Sequence, residues 1–138
     1  MNNSSSSKPP TSLLVFSYTR SQAIVDGVLF DVTSLAKEAG FKHPMAFTAG
    51  LWAAYGEPNT TPAEDRGTAW DIAWMLRCAA VGILPARVER YPQREIIHFE
   101  LLLTPRGQTQ PKLVRLKAIC DGGDDGAPVI TVLLPHED

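Results

Sequence analysis

Apolar positions recur along this chain at two different spacings, and the spacing changes near Pro85. Before it, Phe47, Leu51 and Tyr55 recur every four residues with Trp52 beside them, which predicts a helix over residues 44–56 opened by His43-Pro44. Gly56 and Pro58 close it. Next comes Thr61-Pro62-Ala63-Glu64, a capping-box pattern with proline at the first helical position, so a longer helix is expected over 62–81. Gly82 stops it and Pro85 bars its continuation. From Ala69 to Val81 only Asp71 and Arg77 are charged, so this helix is apolar nearly all round and belongs in the middle of the domain. Two shorter helices precede these. One, over 19–26, starts at Thr19-Arg20-Ser21-Gln22 and stops at Gly27; the other, over 34–39, is capped by Thr33 or Ser34 and closed by Gly40. The β-branched run Val28–Val32 between them has strand character.

Beyond Pro85 the period drops to two. Over 94–104, Ile97, Phe99, Leu101 and Leu103 share one face and His98 and Glu100 the other. Over 112–120, Val114, Leu116, Ala118 and Cys120 point inward while Arg115 and Lys117 point outward. Residues 128–134 are continuously apolar, as in a strand buried on both faces. Turn-rich connectors at 105–111 and 121–127 make these strands hairpins. Helices first and strands afterwards predict an α+β fold with a C-terminal antiparallel sheet. Outward Ile96, Leu102, Ile119 and Leu133 imply that the second face of this sheet is partly covered.

Residues 1–12 are rich in Ser, Asn and Pro without an apolar face, so a disordered tail is expected there, followed by one globular domain over 13–138. With 44% apolar and 20% charged residues the chain has the composition of a folded protein. Its net charge of −2 supplies no general attraction to nucleic acid or anionic lipid. Charge is unevenly spread: residues 87–117 hold seven Lys/Arg and three Glu, and residues 118–138 hold five acidic residues and no Lys or Arg. Mutual neutralisation on a folded hairpin explains that asymmetry. Neither a secretory leader nor a run of about 20 apolar residues is visible, so a cytosolic protein is expected, with Cys78 and Cys120 as reduced thiols.

The residues that carry chemistry do not cluster. Asp71, between Trp70 and Trp74, reads either as a carboxylate tuned by burial or as a structural hydrogen-bonded acid, and the second is favoured. Arg77 stands one turn past Trp74 and is placed to stack on it. His43, His98 and His136 share no ligand spacing with the cysteines, so neither a metal nor a cofactor is expected. Asp121–Gly126 matches a calcium loop only in composition and reads as a hairpin turn. Outward His98, Glu100, Arg115 and Lys117 form a polar face explained by cross-strand pairing, and they are the candidate binding residues. Trp52, Trp70, Trp74 and Phe99 read as core, although an exposed tryptophan would mark a partner surface instead.

Phe16–Val32, Glu38–Lys42, Trp70-Asp-Ile-Ala-Trp74 and Pro128–Pro135 together resemble a family of small proteins carried on bacterial plasmids, phages and integrative elements, known only as a domain of unknown function. The resemblance extends from Phe16 to Asp138. It implies a bacterial cytosolic setting and a protein partner, and it assigns no catalytic residue. The expectation is therefore a non-enzymatic interaction protein, such as an inhibitor of a host defence system of the anti-restriction or anti-CRISPR kind. One alternative is a small enzyme assembled from Asp71, His98, Glu100 and Arg115. A nucleic-acid module over residues 87–117 is weaker, because Glu89, Glu95 and Glu100 interrupt its basic stripe.

Overall fold

The computed structural model describes residues 18–137 and shows an α+β fold. The tail expected at 1–12 lies outside the described residues. In chain order the elements are α1 (Arg20–Val25), β1 (Leu29–Asp31), α2 (Thr33–Glu38), β2 (Met45–Thr48), α3 (Ala49–Tyr55), α4 (Arg66–Ala80), β3 (Arg87–Tyr91), β4 (Arg94–Leu103), β5 (Lys112–Gly122) and β6 (Pro128–Leu133). The strands form one sheet in the order β1-β2-β6-β5-β4-β3. All neighbours are antiparallel except β2 and β6, which run parallel.

One face of the sheet carries the core. Phe47, Phe99, Leu101, Leu116, Ala118, Ile130 and Val132 meet Leu35 and Ala36 of α2, Leu51 and Trp52 of α3, and Ile72, Ala73 and Leu76 of α4. Strand β6 sits in the interior of the sheet, and Val129, Ile130, Val132 and Leu133 are buried on its two faces, which is why its sequence does not alternate. The opposite face is covered beside β6 by α1. There the Arg20 guanidinium donates to Thr131 Oγ1 and to the Ile130 carbonyl, both at 2.7 Å. The carboxylate of Asp124, in the turn between β5 and β6, accepts from Arg20 N–H at 2.7 Å and from Ser21 N–H at 3.1 Å, so that turn anchors the start of α1.

Three expectations need correction. The helix predicted over 44–56 is a strand followed by a short helix. Met45, Ala46 and Phe47 are fully buried between β1 and β6, and pairing on both sides outweighs the four-residue spacing. Pro44, expected in the first helical turn, precedes the strand, and Thr48 caps the helix by accepting from Leu51 N–H at 3.1 Å. The helix predicted over 62–81 begins at Arg66: Thr61–Asp65 forms a turn in which Glu64 Oε1 accepts from Thr61 N–H at 2.8 Å, and Asp65 caps the helix one turn later. Nor is α4 covered all round. Arg66, Asp71 and Trp74 lie exposed on its outward side, because one layer of helices covers this face of the sheet and nothing described packs outside α4. Strand β3 was not expected at all; it pairs with β4 through the two-residue turn Pro92-Gln93.

The candidate site on the outer sheet face and the exposed tryptophans

Because β4 and β5 bury their alternate residues, the remaining ones form a column of cross-strand pairs on the far side from α4. His98 lies opposite Lys117, Glu100 opposite Arg115 and Leu102 opposite Leu113. All four candidate binding residues thus share one face. Their ion pairing differs from the expected pattern, since β3 brings Arg87 and Glu89 alongside. His98 Nε2 lies 2.8 Å from Glu89 Oε1, and Arg87 Nη1 lies 3.3 Å from Glu89 Oε2. The hydrogen bond from His98, followed by the charge of Arg87, holds the Glu89 carboxyl below the ordinary carboxylate range. Arg115 reaches Glu100 at 3.6 Å with both side chains exposed, a pair worth about 0–1 kcal/mol. His98 and Glu100 therefore serve separate partners, Glu89 for the one and Arg115 for the other. A shallow notch of about 340 Å³ opens here, lined by Pro85, Ala86, Arg87, His98, Phe99, Glu100 and Arg115.

Asp71 is not with them. It is exposed on α4, on the opposite side of the sheet, so the four-residue site considered from sequence does not come together. Only His98, Glu100 and Arg115 share a surface. Exposure also removes both readings offered for Asp71, a buried structural acid and an acid tuned by burial. Arg77 does not stack on Trp74; its guanidinium lies 6.0 Å from the ring of Phe41, packed against the Gly40 turn that ends α2.

The tryptophans divide. Trp52 is buried with its Nε1 donating to the Thr60 carbonyl at 2.8 Å, and Phe99 is buried with it in the core. Trp70 is half-buried. Trp74, expected in the core, is 45% exposed and stacks on Trp70 with ring centroids 5.8 Å apart and planes 10° apart. Val81, two turns on, is 50% exposed, and together with Trp70, Trp74 and Arg77 it follows the i, i+4, i+7, i+11 spacing of one helix side. Sequence reasoning missed Glu89 as well as the exposure of Trp74. The turn pair Pro92-Gln93, with a run of strand length on each side, was the available signal for the former.

At the other end of the sheet an open groove of about 870 Å³ is lined by Arg90, Arg94, Glu95, Cys120 and Asp121, among others. Burial, then the charges of Glu95 and Asp121, push the Cys120 thiol above its ordinary value, which disfavours the thiolate form. Cys78 is buried, and neither thiol is in a disulfide. Among the described residues no three metal-ligating side chains converge, and no helix is long and apolar enough to cross a membrane.

No family model matches this chain, and no curated protein or solved structure does either. Fold and surface define its class: an α+β domain with α2, α3 and α4 on one face of a six-stranded sheet and α1 beside β6 on the other, an exposed Trp74 stacked on half-buried Trp70 on one surface and a charged, leucine-bearing strand face on the other.

Proposed function

We propose that this protein works by binding another protein, using the outward side of α4. The observation that carries this reading is the exposure of Trp74, stacked on Trp70. A large aromatic left in water on a rigid helix forgoes burial free energy in the free protein. Such residues are enriched among those that dominate binding energy at protein interfaces. Stacking on Trp70 holds the ring in place, so little side-chain freedom is lost on docking. The sequence resemblance to proteins of plasmids, phages and integrative elements points to a partner in the bacterial cytosol, and a component of a host defence system fits that setting.

The test is quantitative capture of a partner from a bacterial host, followed by titration of the purified pair in a calorimeter. Trp74→Ala is expected to weaken binding at least tenfold while the chain still melts cooperatively. Unchanged affinity for that variant would remove the α4 surface from the proposal.

A further inference from the structure

We infer that β4 has an open strand edge at Glu100 and Leu102 that receives an extended peptide of a partner protein as an added strand. This deepens the binding-protein reading and rests on it, but it concerns a surface on the opposite side of the sheet from Trp74.

The direction of each backbone group in β4 follows from the turn between β5 and β6. Gly123 N–H donates to the Ala127 carbonyl at 2.8 Å, and Gly126, with φ 83°, donates to the Gly123 carbonyl at 3.0 Å. Residues 123 and 127 are thus a hydrogen-bonded pair, and such pairs alternate along an antiparallel ladder. Asp121, Ile119 and Lys117 therefore turn their N–H and C=O toward β6, and Cys120, Ala118 and Leu116 turn theirs toward β4. An independent bond agrees: Ile130, opposite Cys120, points away from β5 and donates to the Pro44 carbonyl at 2.8 Å. Carried across the pairs Glu95–Cys120, Ile97–Ala118 and Phe99–Leu116, the alternation aims the odd residues of β4 at β5 and the even ones at β3.

Strand β3 satisfies Arg94, Ile96 and His98, opposite Tyr91, Glu89 and Arg87, and pairs no further. Pro85 precedes it and has no N–H to continue the ladder. The N–H and C=O groups of Glu100 and Leu102 consequently face a side where no strand lies. Among the described residues these four groups have no hydrogen-bond partner.

Groups with this spacing and alternation are matched by another extended backbone. The notch beside Pro85 and Ala86 lies at the end of β3, where such a strand would continue its line. Its natural direction is antiparallel to β4. Leu102 is 64% exposed and Leu113, across from it, 65%, so the added strand would place an apolar side chain opposite Leu102. The edge of β3 itself is guarded: Arg87, Glu89 and Arg90 charge it and Pro92 ends it. The stretch Phe99-Glu-Leu-Leu-Leu103 has one charge and no such guard.

The probe is a blocked eight-residue peptide of alternating threonine and valine with a lysine at each end, titrated into the nitrogen-15-labelled protein. Chemical shifts are expected to move at Glu100, Leu102 and Arg87, and hydrogen exchange at the Glu100 and Leu102 amides should slow at least tenfold. Leu102→Pro removes the N–H facing the open edge and spares the β4–β5 ladder, so it should weaken the peptide at least tenfold. Leu113→Pro, on the other margin of the hairpin, should leave binding unchanged. Where Leu102→Pro fails to melt cooperatively, exchange in the unaltered protein decides alone. Shifts centred on Val88 and Arg90, or on Leu113 and Arg115, would overturn the assignment, as would no response at millimolar peptide. So would concentration-dependent protection of Glu100 and Leu102 without peptide, which would make a second copy the occupant. Trp74→Ala should retain the peptide response, so the two surfaces stand or fall separately.

Discussion

Gly56→Ala tests why glycine ends α3. The residue has φ −76° and ψ 158°, ordinary extended backbone, so no left-handed turn requires it. Space does. A Cβ there would fall 2.6 Å from Trp52 Nε1 and nearer still to Cδ2 and Cε2. The ring has nowhere to retreat: its Nε1 is bonded to the Thr60 carbonyl, it stacks on Phe47 with centroids 6.4 Å apart, and Gly56 N–H is itself tied to the Trp52 carbonyl at 2.8 Å. Overpacking of this kind costs about 1–3 kcal/mol, and the gain from restricting the unfolded chain, about 0.4–1 kcal/mol, does not offset it. With that gain subtracted and an m-value of about 2 kcal/mol/M, the urea midpoint should fall by roughly 0.3–1.3 M. In the Trp52→Leu background the same alanine should cost less than about 0.5 kcal/mol, since the contact that penalises it is gone. The reasoning fails if Gly56→Ala leaves the midpoint in place, or if its cost is the same in both backgrounds.

Gly67 is the converse case: it lies in the first turn of α4 with open space around it, so Gly67→Ala should stabilise by up to about 1 kcal/mol in the same urea assay. Phe99→Ala, at a side chain 2% exposed, should cost about 3–5 kcal/mol, and Trp74→Ala clearly less; equal costs would contradict the exposure of Trp74. The N–H groups of Arg20 and Ser21 hold the Asp124 carboxyl below the ordinary carboxylate range. Its contribution is thus fully present above that range and lost as pH falls through the lower folded value. Melting temperatures of the wild type and Asp124→Asn should differ at pH 7 and converge as acid protonates the carboxylate below its lowered folded value; a gap that persists in strong acid would show that the anchor is not ionic.

The class of fold was legible because period is a local property. Ile97, Phe99, Leu101 and Leu103 alternate whatever lies above them, and the apolar run of β6 predicts a strand covered on both faces, which the core helices on one side and α1 on the other supply. Gly27, Gly40 and Gly82 stop their helices at positive φ, as local chemistry requires. Cross-strand pairing of Glu100 with Arg115 was legible for the same reason. Met45–Thr48 was not: its strand exists only because β1 and β6, one of them over eighty residues away, supply partners for its backbone. The role of Asp124 at the start of α1 likewise spans more than a hundred residues and has no local signature. Trp74 was misplaced because an apolar helix does not state how many of its sides will be covered. That is set by how many layers the domain builds, and the single helical layer on this face of the sheet leaves Trp74 facing water. Residue periodicity determined which elements form and which faces are apolar; long-range pairing and layer count decided which of those faces were buried and which were left for a partner.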